Sequence, residues 1–254
     1  MTSTVVGMRC PECAGRRARA GRVGRRAPSV RIGRSEEPVV TYVLLAVNTL
    51  AFVASFASGQ NAVGGGFGGS SLLADGALTR HAVADGDWWR LLTSGFLHAG
   101  FLHLLFNMLG LWVLGSMLEP AIGHLRFALI YFVSLLCGSF GVVLLSPSSA
   151  ITIGASGAIF GLLGAAFVIL SHRGLDPMQS GLGMWLLLNL LITFTVPHIS
   201  IGGHVGGLIG GSVAALVLFP LPGRVRLPAA VPLALAAALG CVAVAGSIAV
   251  AGAG

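Results

Sequence analysis

The sequence predicts an all-α fold, a polytopic bundle of membrane helices, and three observations carry that prediction. Apolar runs long enough to cross a hydrocarbon core of about 30 Å recur along the chain. Of the 254 residues, 55% are hydrophobic and 9% charged, whereas soluble domains carry about a quarter charged residues. Charge is also segregated: residues 1–37 hold nine arginines and three glutamates, so they supply +6 of the total +7. A basic block placed directly before the first apolar run reads as a positive-inside anchor rather than a nucleic-acid surface. These features exclude an ordinary soluble domain and make the lipid bilayer the first partner.

Residues 1–37 form a basic tail, expected to be cytosolic and disordered because it holds almost no large apolar side chain. It lacks the apolar core of a cleavable signal peptide. Cys10 and Cys13 make a lone Cys-x-x-Cys, a weak zinc candidate, because a structural zinc needs a full tetrahedral ligand set and the next histidine is His81. No cofactor is implied elsewhere.

The first span is expected over 38–57. Residues 58–97 then form a long loop in two parts, a glycine-rich stretch over 64–69 and the interfacial stretch Asp85-Gly86-Asp87-Trp88-Trp89-Arg90. Span two starts at about 97 or 101 and ends at 118; spans three to seven cover 127–146, 153–170, 182–196, 199–219 and 229–251. Residues 38–219 constitute the core, and 220–254 a linker with the seventh span. The arginines orient this bundle. With the tail in the cytoplasm, alternation puts Arg126, Arg173, Arg224 and Arg226 inside and leaves only Arg80 and Arg90 outside. The N-terminus is therefore expected in the cytoplasm and the C-terminus outside the plasma membrane.

That orientation uses no polar residue of the spans, yet it gathers them in one layer. Spans two, four and six all run from outside to inside. Ser156 falls about three residues into span four and His204 about five into span six, roughly 5–8 Å below the outer end at about 1.5 Å per residue. His103 and Asn107 enter span two at similar depth, one turn apart on one face. Serine, histidine and an amide are the parts of an acyl-transfer site, here embedded in hydrophobic sequence: Ser156 as nucleophile, His204 as base. Oxyanion donors are available from the Ser156 N–H at a helix start and from Asn107 and His103. Phe160, one turn after Ser156, is placed to stack on His204. The pattern predicts a serine protease that cuts inside the membrane.

Blander readings stand beside this one. Gly157 and Gly161 form a GxxxG pair, and Gly202, Gly206 and Gly210 read as packing positions. His98 is either an interfacial histidine or a supporting partner of the site. The acidic residues all lie in tails, loops or helix ends, so a Ser–His dyad without a carboxylate is the most that can be assembled. The same distribution excludes an aspartyl mechanism, and the lack of His-Glu-x-x-His excludes a zinc metalloprotease of that type. Gly-x-Ser-x-Gly is not matched, since Ala158 stands at its last position. A transporter would carry polar residues across the full bilayer, whereas here they stop in the outer half.

Taken together, Trp89-Arg90, His98, His103-x-x-x-Asn107, Gly154-x-Ser156-Gly157 and His204-x-x-Gly207-x-x-x-Gly211 resemble the rhomboid family of intramembrane serine proteases, over about 38–219. Glu119, Gly123 and Arg126 resemble that family's cytoplasmic turn. The resemblance implies a six-helix core with Ser156 as nucleophile, His204 as base, and Asn107 and His103 at the oxyanion site. Gly154, Gly157, Phe160, His98, Trp89 and Arg90 would support it. The Trp89-Arg90 loop would lie half-sunk in the outer leaflet, and span five with the loop around Pro197 would gate access. The substrates implied are single-span transmembrane proteins cut near the outer face. Phe160 stands where the family often has tyrosine, and span seven is an addition to the core. A catalytically inactive relative that binds membrane clients is the alternative, from which loss of Ser156 or His204 would be expected.

Overall fold

The computed structural model describes residues 37–60, 70–197, 199–220, 225 and 227–253, together with the backbone of 2–4 and 7–9. The chain divides into two compact units, Met1–Ser35 and Glu36–Gly254. In the first, β1 (Thr2–Thr4) and β2 (Gly7–Arg9) pair antiparallel with Thr2 opposite Arg9. Threonine favours extended backbone, and this short hairpin stands where composition alone predicts an unstructured tail. Cys10 and Cys13 lie outside the described residues.

Among its described residues the second unit is built of helices, with one isolated β-bridge between Leu78 and Thr152. Its long helices are α1 (Val39–Ala57), then, after the loop helices α2 (Ser71–Gly76), α3 (Arg80–Ala84) and α4 (Arg90–Thr93), α5 (Phe101–Ile122), α6 (His124–Leu145), α7 (Ser156–His172), α8 (Leu182–Thr195), α9 (Ile201–Leu218) and α10 (Ala230–Gly252). The protein is thus an all-α, multi-pass membrane bundle. By length and composition α1, α5, α6, α9 and α10 are able to cross a membrane; α7 and α8 are apolar but shorter, at 17 and 14 residues.

The element boundaries have local causes. Gly123 adopts φ +86°, a left-handed turn that suits glycine, so α5 runs past the expected end at 118 and α6 starts directly after it. Residues 153–155 stay out of α7 because Thr152 pairs with Leu78 in an isolated antiparallel bridge and Gly154 takes φ +123°. Ser156 is therefore the first residue of its helix, not the fourth residue of span four. The expected loop over 58–97 also carries helices. Ser70 caps α2 by accepting from the Leu73 N–H at 3.3 Å, and Thr79 caps α3 by accepting from the Ala82 N–H at 3.1 Å.

Glycine sets the packing of the centre. A Cβ on Gly207 would strike the Gly157 carbonyl, one on Gly211 the Gly161 carbonyl, and one on Gly141 the Gly202 carbonyl. Helices α6, α7 and α9 consequently approach backbone to backbone, where dispersion contacts replace the hydrophobic drive that lipid removes. The close contacts at Gly157, Gly161, Gly202, Gly206 and Gly210 fit the packing reading of those positions.

The two ends of the bundle are tied differently. Glu119, fully buried in the last turn of α5, accepts from the N–H groups of Val40 and Thr41 at 2.8 Å each and from Thr41 Oγ1 at 2.6 Å, and meets His124 Nδ1 at 2.5 Å. It thereby saturates the free donors and positive dipole end of α1. At the opposite end, Arg80 of α3 reaches the carbonyl of Val250 in α10 at 3.5 Å. The start of α1 and the end of α10 lie at opposite faces of the bundle.

Candidate active site

Ser156 Oγ and His204 Nε2 lie 2.7 Å apart. Their approach follows from the fold: Ser156 immediately precedes Gly157, which packs on Gly207, one turn beyond His204 in α9. Ser200 fixes the start of α9 by accepting from the Gly203 N–H at 3.1 Å. Phe160 stacks on the His204 ring with centroids 4.2 Å apart and planes 19° from parallel. The aromatic face needs no hydroxyl to hold that ring.

Of the two α5 donors, His103 faces Gly154 beside Ser156, and Asn107 stands one turn further along the helix. Asn107 is buried, and its Nδ2 donates to the His103 carbonyl at 2.8 Å, which leaves one amide hydrogen uncommitted. The Ala99 N–H makes a long 3.5 Å contact with His103 Nδ1, where that nitrogen can only accept. That contact fits the tautomer with hydrogen on Nε2. A side chain at Gly154 would place its Cβ 2.7 Å from His103 Nε2 and 3.8 Å from Ser156 Oγ. Glycine at 154 therefore keeps open the space between the histidine donor and the hydroxyl. The Ser156 N–H, at the first position of α7, has no acceptor within the helix. A small negative oxygen placed there would meet preorganised donors and a helix dipole.

His98 lies in the connector between the turn Ser94–Phe96 and α5, outside the long helices, and is fully buried. Its ring packs edge-on to His103, centroids 5.1 Å apart, and its carbonyl accepts from Gln60 Nε2 at 2.7 Å. Burial, with the nearby His103 second, lowers its pKa from 6.5 to about 3, so the ring is neutral. His98 thus backs His103 and does not reach the hydroxyl.

Trp89 and Arg90 are not brought to the site. Trp89 is exposed, and Arg90 instead staples the loop. Its Nη1 donates to the carbonyls of Ala74 and Ala77 at 2.5 and 3.2 Å, while Nε and Nη2 pair with Asp87 at 2.9 and 2.8 Å. That loop holds the approach to Ser156 through the Leu78–Thr152 bridge and through the Gly154 N–H, which donates to the Ser94 carbonyl at 2.9 Å.

The Rhomboid domain family model matches residues 85–221, more than half of the chain. The chain belongs to the rhomboid family. It is 41% identical over 185 residues to the rhomboid protease GluP of Bacillus subtilis, covering 72% of this chain and 35% of that protein. It is 39% identical over 132 residues to the putative rhomboid protease YdcA of the same organism, covering 51% and 66% respectively. RHOMBOID-like protein 5 of Arabidopsis thaliana matches at 36% over 152 residues, 58% of this chain and 49% of that protein. The chain thus spans between about a third and two-thirds of these relatives' lengths.

One contact of this rhomboid site was not legible in the sequence. Thr193 of α8 is buried, and its Oγ1 lies 2.7 Å from His204 Nδ1. Threonines in apolar helices commonly bond back to their own backbone. Thr193 does so to the Asn189 carbonyl, and the exposed Thr195 does the same to that of Leu191. Nothing in the local pattern separates the two; only the packing of α8 against α9 does.

Proposed function

We propose that this chain is an intramembrane serine endopeptidase that uses a Ser156–His204 dyad to hydrolyse peptide bonds of single-span transmembrane substrates near the outer membrane face. The observation that carries the reading is the 2.7 Å contact between Ser156 Oγ and His204 Nε2 at the glycine-lined start of a helix. Ser156 Oγ attacks the scissile carbonyl carbon while its proton passes to Nε2. The carbonyl oxygen takes the charge and is met by the Ser156 N–H, the free Asn107 Nδ2 hydrogen and His103 Nε2–H. Collapse expels the amine, which takes the proton from Nε2. Water, deprotonated by the same nitrogen, then cleaves the ester and restores the serine.

The orientation proposed is cytoplasmic for the N-terminus and outside for the C-terminus, in the plasma membrane, with seven crossing helices if α7 and α8 are counted. Basic connectors and the opposite placement of the start of α1 and the end of α10 support it. Cleavage by purified protein of a test transmembrane substrate is expected, with labelling of Ser156 by a fluorophosphonate. Ser156→Ala and His204→Ala should each abolish cleavage while the variants remain folded. Full activity in either variant sinks the dyad, and capture of transmembrane clients without hydrolysis by the intact chain would favour the inactive, client-binding alternative.

A further inference from the structure

His204 has two ring nitrogens, and only Nε2 is occupied by Ser156. Nδ1 faces Thr193 Oγ1 at 2.7 Å, and the same oxygen lies 2.7 Å from the Asn189 carbonyl. A hydroxyl has one proton to give, and a carbonyl only accepts. With the Thr193 proton directed to Asn189, a lone pair is turned to Nδ1, so that bond closes when Nδ1 carries hydrogen. Nε2 is then bare and able to take the serine proton.

The arrangement is best matched to the imidazolium that forms once Nε2 has taken that proton. Both ring nitrogens are then donors, and Nδ1–H requires an acceptor. Thr193 supplies it, and Asn189 O in turn receives the threonine proton, so no buried donor is left unpaired. Soluble triads fill this place with a carboxylate, whose ionised form would be costly in a hydrophobic layer. A neutral hydroxyl backed by a carbonyl serves the same geometry without a buried charge.

We propose that Thr193 is a positioning residue for the reaction: it holds His204 in the Nδ1–H tautomer and accepts from the imidazolium, making the site a Ser156–His204–Thr193 constellation. The proposal rests on the protease reading above. It assigns α8 a part in the chemistry as well as in the bundle wall, since Thr193 is the buried residue of that helix's C-terminal half.

The test compares Thr193→Val, which keeps the shape and removes the hydroxyl, with Thr193→Ser, which keeps the hydroxyl. In the full-length purified protein, Thr193→Val should lower kcat on the transmembrane test substrate about ten- to a hundredfold, in the range of lost ligand-orienting partners and below the loss of a triad carboxylate. KM and thermal stability should stay near the parent values. Thr193→Ser should recover most of the rate. In ring-labelled protein, with His204→Ala for assignment, the His204 Nδ1–H resonance should be present in the parent and in Thr193→Ser and displaced in Thr193→Val. Parental kcat in Thr193→Val, equal losses in both variants, or an unprotonated Nδ1 in the parent would each overturn the proposal. If Ser156→Ala retained activity, the protease reading itself would fail, while the Nδ1 resonance would still decide the Thr193 contact.

Discussion

The Cα of Gly207 packs on the peptide of Gly157, so tightly that a methyl on Gly207 would overlap the Gly157 carbonyl oxygen. This contact between α7 and α9 lies one residue from Ser156 and three from His204. It converts two separate glycine-rich motifs into a single site.

Gly207→Ala should therefore damage both stability and chemistry. Backbone cannot move aside as a flexible side chain can, and overpacking of this kind costs about 1–3 kcal/mol. A lowered midpoint of thermal unfolding in detergent, with slower fluorophosphonate labelling of Ser156 in the molecules that remain folded, is expected. Unchanged labelling and unfolding would show that the helices separate freely at this point.

Asn107→Ala removes the uncommitted amide hydrogen at the site and the bond to the His103 carbonyl. Turnover should fall roughly ten- to a thousandfold, the range for loss of one oxyanion donor, with KM little changed. Unaltered turnover combined with collapsed binding would make Asn107 a docking residue.

Arg90 acts at a distance, by tying Ala74, Ala77 and Asp87 into one loop that is bridged to the approach of Ser156. Lysine carries the charge but not the planar fork needed to reach these groups together. Arg90→Lys and Arg90→Ala should both make residues 70–97 more sensitive to added protease and lower activity. Full protection in Arg90→Lys would reduce its role to charge alone.

Helix α10 carries no side chain at the site and packs on α6 through small residues such as Gly240. Truncation after Arg226 should lower thermal stability and spare the specific activity of folded protein. A reporter fused after Gly254 should be labelled from outside only; cytoplasmic labelling would refute the crossing of α10.

Much of this protein follows from its sequence because the membrane restricts what a chain can do. Apolar runs must become helices when no water is present to satisfy the backbone, so the long helices appear close to their expected ranges. Ser156, His204, His103 and Asn107 could be singled out because polar groups in such helices are costly and need partners. Tertiary structure decided what depends on contacts between distant segments. Gly154 is held out of α7 by pairing that starts at Leu78 and Ser94, which makes Ser156 the first residue of its helix. Arg90 is drawn to loop carbonyls rather than to the site. Thr193 and Thr195 carry the same local bond, and only the rotation of α8 against α9 turns one hydroxyl toward His204 and the other outward. A helix's period fixes which residues share a face, but its rotation is set by the neighbour it packs against.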